Sequence, residues 1–297
     1  MQNISAPTTE AASIKKLYEA AGALDCTFIF RIPVYENMPD TVCTLPTSST
    51  NVVIVVPEGY SGTVFLDGVE YGAAARNGEL IVKAPDGNAT NAVMYQYNAN
   101  GVPVGMYVWT LQYVNQAYVV TPQPELEGLL SYHGFSIRIT GRAGIRFKTG
   151  ISAELKEALI SSGVNGYQLK EYGTLVMTNA NRSLYPMILG GIKVASGISY
   201  GIENGQAVDK VYETVDGRKR FTSVLVGLPA AQYKMEYAFR GYVVLVKDGQ
   251  EIVLYGPIQA RSIYNLANQV LAAGSYAEES SAHQFLINLI SDADALQ

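Results

Sequence analysis

Eight Asp-Gly or Asn-Gly dipeptides punctuate the chain, at 67–68, 77–78, 86–87, 100–101, 165–166, 204–205, 216–217 and 248–249. Each offers positive φ at two consecutive positions for little steric cost, which is what a type I′ hairpin turn needs. β-branched and aromatic runs flank them. Earlier runs include Asn51–Val56, Thr63–Leu66, Leu80–Ala84, Ala92–Tyr97, Val104–Val114 and Ala117–Thr121. Later runs include Phe135–Thr140, Ile145–Thr149, Tyr172–Thr178, Thr222–Gly227, Tyr237–Val246 and Glu251–Tyr255. Runs broken so often leave little room for long helices and predict antiparallel hairpins. In the longest early run, Tyr107, Trp109, Leu111 and Tyr113 alternate, which predicts a strand with one buried face.

Helical periodicity is confined to four places. Ile14, Leu17, Tyr18 and Ala21 share a stripe behind Thr8 and Thr9, with Gly22 as a stop. Ser152 precedes Leu155, Leu159 and Ile160. Ile263, Leu266, Ala267, Val270 and Leu271 repeat at helical spacing up to Gly274, and Ala282, Phe285, Leu286, Leu289 and Ile290 form a last amphipathic stripe.

Charge divides the chain. Residues 1–127 carry 12 acids and 5 bases, whereas 128–297 carry 14 acids and 16 bases. The proline-rich segment Thr121–Gly128 lies at the change and reads as a short linker. The expected architecture is mainly β with an α+β part. Residues 1–47 form a helix–strand lead-in too small to fold alone. Residues 48–127 form an immunoglobulin-like β-sandwich of about seven strands. Residues 128–297 form an α+β domain with an antiparallel sheet and a few helices.

Composition excludes several classes of function. Charged residues are 16% and hydrophobic residues 48%, the reverse of a disordered chain. No apolar run reaches the ~18 residues of a membrane span. A net charge of −5 argues against nucleic acid as the main partner. Two histidines and two cysteines leave little for metal or acid–base chemistry, so no cofactor, no metal and no enzymatic activity are expected.

Two stretches resemble known families. Met1–Pro7, the helix after it, Phe28-Ile-Phe-Arg-Ile-Pro-Val-Tyr-Glu-Asn-Met-Pro39 and Cys43 resemble the trailing end of glucosaminidase-type cell-wall hydrolase domains of clostridial bacteria. The catalytic glutamate of such a domain has no counterpart here, so the resemblance implies a setting and not an activity. Ser136–Phe147, Glu171–Leu175, Phe239–Tyr242 and Ala260–Tyr264 resemble an uncharacterised module at the ends of large clostridial surface proteins. Together they imply a secreted or cell-surface protein of a Gram-positive envelope, with this chain a fragment of it or lacking its leader. The implied work is binding or adhesion to cell-wall polysaccharide, a host glycan or glycoprotein. An accessory tail of a glucosaminidase and a binder of host immunoglobulin are the alternatives.

Individual residues add detail. Arg138, Arg142 and Arg146 form the densest basic cluster; guanidinium groups suit carboxylate or phosphate, and pairing with Glu154, Glu171 or other acids of the sheet is the ordinary alternative. Tyr95 and Tyr97, among 21 tyrosines, suit either a sugar-stacking platform or sandwich packing. Cys26 and Cys43 form a disulfide or remain two free thiols, since spacing alone does not bring their Cα atoms within reach. Gly197-Ile-Ser-Tyr-Gly201 matches a nucleophile-elbow pattern but is followed by a hairpin signal, not a helix. His133 stands alone, Arg218-Lys-Arg220 reads as a solvated hairpin tip, Glu154 and Glu157 as an exposed helix face, and Asp292 and Asp294 as a solubilising tail.

Overall fold

Turn chemistry and β-branched runs together produce a mainly β chain of several antiparallel sheets, with three α-helices among the described residues. The computed structural model describes residues 29–32, 41–44, 50–56, 63–76, 78–84 and 88–296. The predicted helix after Thr9 and Cys26, half of the possible disulfide, lie outside them. Strands β1 (Ile29–Ile32) and β2 (Thr41–Thr44) pair antiparallel.

Eight strands follow up to residue 122: β3 (Thr50–Val55), β4 (Val64–Leu66), β5 (Val69–Tyr71), β6 (Ala73–Arg76), β7 (Glu79–Ala84), β8 (Asn91–Tyr97), β9 (Pro103–Val114) and β10 (Ala117–Pro122). They form a five-stranded sheet, β10-β9-β8-β4-β5, and a three-stranded sheet, β3-β7-β6. Val52, Ile54, Val82, Ala92, Met94, Trp109 and Leu111 join side chains of both sheets in one core. Alternation in β9 therefore places Trp109 and Leu111 inward as expected, but its other face is buried as well. Met106 and Val108, with Val93 and Tyr95 of β8, enter a second core together with Leu245, Ile252 and Leu254 from far along the chain. A strand covered on both sides loses its polar face, so the expectation of one buried face fails here.

The segment Thr121–Gly128 is a packed connection. Pro124–Leu126 form a 3-10 turn, and Leu126 and Leu129 are fully buried in that second core. Beyond it run β11 (Leu130–Arg138), β12 (Gly144–Ser152), α1 (Ala153–Ser161), β13 (Gln168–Thr178), β14 (Ala195–Glu203), β15 (Gln206–Asp209), β16 (Val211–Val215) and β17 (Arg218–Val226). Then come β18 (Tyr237–Lys247), β19 (Gln250–Tyr255), β20 (Gln259–Arg261), α2 (Ile263–Ala272) and α3 (Ser281–Asp294). One sheet has the order β11-β12-β17-β16; the other has β15-β14-β13-β18-β19, with β20 beside β18.

The helices begin where the sequence caps them. Ser152 Oγ accepts from the Leu155 amide, Ser262 Oγ from Asn265 and Ser280 Oγ from His283, each satisfying one orphan donor of a first turn. Leu159 is buried under α1, while Ile160 is exposed, against expectation. Helices α2 and α3 pack Ile263, Leu266, Leu286 and Leu289 onto Ile145, Phe147 and Phe239.

Candidate functional site

A cleft opens where the five-stranded sheet meets the segment after β13. Two adjoining depressions of about 280 and 370 Å³ share Phe65, Glu70, Arg182 and Ile258. Tyr95, Tyr97 and Thr63 line one; Gly68, Leu184, Tyr185 and Pro186 line the other. Glu70 comes from β5, the terminal strand of its sheet. Arg182 comes from the 3-10 segment Asn179–Ser183, where its Nη1 donates to Asn179 Oδ1 at 3.1 Å. The cleft thus places a carboxylate, a guanidinium and the half-open ring of Tyr97 around one concave surface. Concave junctions with a few convergent polar groups are where ligands usually bind.

Behind the lining residues Gly68, Met187 and Tyr95 lies Arg240 of β18, fully buried. Its Nε donates to Gly256 O at 2.9 Å, Nη1 to Gly68 O at 2.8 Å and Met187 O at 3.1 Å, and Nη2 to Tyr95 Oη at 3.0 Å. The Tyr255 ring lies 4.6 Å and the Phe65 ring 5.9 Å from its guanidinium carbon. Partners on both sides of residue 127 therefore converge on one cation. Apolar periodicity gave no sign of Arg240; the available signal is a single cation inside the otherwise apolar run Tyr237–Val246.

Tyr95 does not serve as a sugar platform, because it is 3% exposed and its hydroxyl donates to Tyr255 O at 2.7 Å. Burial pushes its phenol above the ordinary range, although Arg240 pulls the other way. Tyr97, 47% exposed, packs edge-on against Tyr95 with ring centroids 6.5 Å apart. It keeps a face open to the cleft, and burial raises its phenol in the same way.

Strand register keeps two members of the basic cluster on one face. Ser136 faces Arg146 and Arg138 faces Gly144, so Arg138 and Arg146 project from the same side of the four-stranded sheet. Arg142 lies in the turn between them, its guanidinium 3.7 Å from where a methyl at Gly227 would sit. Among the described residues none of the three makes an ion pair, so the expected pairing with Glu154 or Glu171 is absent. Glu171 instead accepts from Tyr242 Oη at 2.5 Å.

The remaining residues resolve as structure. Ser199 of the Gly197–Gly201 segment is buried in β14 and leads into β15, not a helix. Arg218-Lys-Arg220 is no free tip. Arg218 donates to Gly128 O, Lys219 pairs with Glu157, and Arg220 Nη1 lies 3.0 Å from Glu213. Asp294 pairs with Lys234 at 2.7 Å, which ties the last helix to the body. His133 Nε2 shares a hydrogen bond with Ser131 Oγ at 2.9 Å. Burial first, then Arg220, Arg218 and Lys148, hold its imidazole below the usual range. Among the described residues no group of three His, Cys, Asp or Glu could hold a metal, and no helix is long and apolar enough to cross a membrane.

No known protein family and no curated protein matches the chain. A DUF3823 family protein from Bacteroides ovatus aligns over 73% of this chain and 100% of its own length. At 12% identity and a TM-score of 0.24, that likeness carries no argument about fold or function.

Proposed function

We propose that the chain is a non-catalytic binding array from the surface of a Gram-positive cell. In this reading residues 48–127 are an immunoglobulin-like sandwich and residues 128–297 the α+β module that anchors it. The observation that carries the reading is the junction cleft. A neutral sugar ring laid on Tyr97 meets Glu70 and Arg182, whose oxygens and nitrogens bond neighbouring hydroxyls. Arg240 ties Gly68, Met187 and Tyr95 of the lining together from behind, so little ordering entropy is lost on binding. The low count of histidines and the exposed placement of Glu154 and Glu157 on one helix face favour binding over turnover.

Titration of the chain with soluble cell-wall polysaccharide fragments and with mucin-type glycans tests this. Saturable binding to one of them is expected, and Tyr97→Ala or Arg182→Ala should weaken it about tenfold, the loss of one good polar or stacking contact. Release of reducing ends from peptidoglycan by the chain alone would sink the non-catalytic reading. Binding that ignores both substitutions would remove the cleft from it.

A further inference from the structure

The four-stranded sheet has one apolar side and one basic side. Ile137, Ile145 and Phe147 turn toward the helices, and Ile151 and Phe221 toward the other sheet. The residues between them face outward, in rows set by the pairing register. The first row is Val215, Arg218 and Ser152. The second is Glu213, Arg220, Gly150 and Ser131. The third is Thr222 and Lys148, the fourth Val224, Arg146 and Ser136, and the fifth Val226, Gly144 and Arg138. Each of five successive rows therefore carries one cation. The line steps from β17 through β12 to β11.

Successive rows are two residues apart, about 6.8 Å along a strand, so the line runs on the order of 27 Å. Glu213 is the one acid in register with it, and Arg220 already holds that acid. Among the described residues neither Arg146 nor Lys148 has an ion-pair or hydrogen-bond partner, and Arg146 Nε and Arg220 Nε are buried donors left unbonded. Burial first, and after it the charges of Arg220, Arg218 and Lys148, hold the His133 imidazole low at one end of the line. Such a field, on a chain of net charge −5, is local and not a product of composition.

We propose that this face binds a linear polyol-phosphate polymer, one phosphodiester to a row. Phosphates joined through a three-carbon polyol repeat about every six backbone bonds, as do alternate residues of an extended peptide. The two periods therefore match without strain. Nucleic acid has a similar phosphate period, but single-stranded binders add a succession of aromatic platforms for the bases; here the exposed Tyr212, bonded to Glu213 and Arg220, stands at one end of the line, and no aromatic residue is in register with its rows. This surface stands apart from the Tyr97 cleft and does not depend on it.

The test is titration of the full chain with a glycerol-phosphate oligomer of about ten repeats, at several salt concentrations. Saturable binding is expected, with affinity falling as salt rises, by a log–log slope of roughly 0.7 to 0.9 per phosphate contact. Paired Arg146→Gln and Lys148→Gln substitutions should cut affinity at least about tenfold and lower the slope by about one to two. Arg146→Lys, which keeps the charge and the fold, should stay within about threefold, and Lys83→Gln in the three-stranded sheet should change nothing. Thermal melts of each variant separate lost binding from lost folding. The proposal is overturned if the oligomer does not bind, or if Lys83→Gln weakens it as much as the paired change. Equal or tighter binding of oligothymidylate or polygalacturonate overturns it too.

Discussion

Arg240 is a cation placed where water does not reach, and its stability rests on geometry. A buried charge without partners is very costly. Here three carbonyls and a phenol accept from it, and two aromatic rings lie within 6 Å. The partners suffer when it is removed: the carbonyls of Gly68, Met187 and Gly256 would each lose a charged donor. Arg240→Met, close in length and unable to donate, is therefore expected to lower unfolding free energy by about 3 kcal/mol or more. Tyr95→Phe removes one phenol and should cost about 1 kcal/mol. Urea denaturation followed by tryptophan fluorescence measures both, since Trp109 is buried in the adjoining sheet core. A smaller loss for Arg240→Met than for Tyr95→Phe would show that the guanidinium does not organise the junction.

Hairpins were the most legible elements, because their turns are a matter of local backbone chemistry. Asp67-Gly68, Asn204-Gly205, Asp216-Gly217 and Asp248-Gly249 all take positive φ at both positions and close β4–β5, β14–β15, β16–β17 and β18–β19. The β9–β10 turn uses Asn115-Gln116, with φ of 51° and 64° and no glycine, so no dipeptide signal announced it. The caps at Ser152, Ser262 and Ser280 are local too, although sequence spacing anticipates only the first. What pairs with what, and which faces are covered twice, depends on distant residues and left no local mark. Hence alternation in β9 predicts one buried face where the strand has two. Arg146 and Lys148 alternate on β12, and Arg218 and Arg220 on β17, but that these pairs and Arg138 share one face depends on a strand order and register that the sequence does not display. Close strand contact also explains Gly173 in β13. A methyl there would lie 2.1 Å from Gly197 O, a backbone atom that has nowhere to move. Gly173→Ala is expected to cost about 2 kcal/mol by overpacking, and Gly217→Ala less, since nothing lies within 4 Å of a methyl there and its φ of 69° is the main cost. Thermal melts of the two variants check the order.

At the scale of the whole molecule, position 127 is a change of charge and not a gap in packing. Val93, Tyr95, Met106 and Val108 from the first β region share a core with Tyr172, Val243, Leu245, Ile252 and Leu254 from the second. The connection between them contributes Leu126 and Leu129 to the same core. Arg240 then binds Gly68 and Tyr95 on one side and Met187 and Gly256 on the other. Regions that bury apolar surface in each other lose that burial when either unfolds, so their transitions are coupled. Residues 50–296 are therefore expected to unfold as one calorimetric transition whose calorimetric and van't Hoff enthalpies agree. Residues 128–297 alone would present Ile252, Leu254 and Tyr255 to water, a contiguous apolar patch that promotes association. That piece should melt lower than the full chain and self-associate in sedimentation. Two separated transitions in the full chain, or a monomeric piece with an unchanged melt, would mean that the shared core does not couple the halves. The cleft would then be a surface between independently moving bodies, no longer a fixed site.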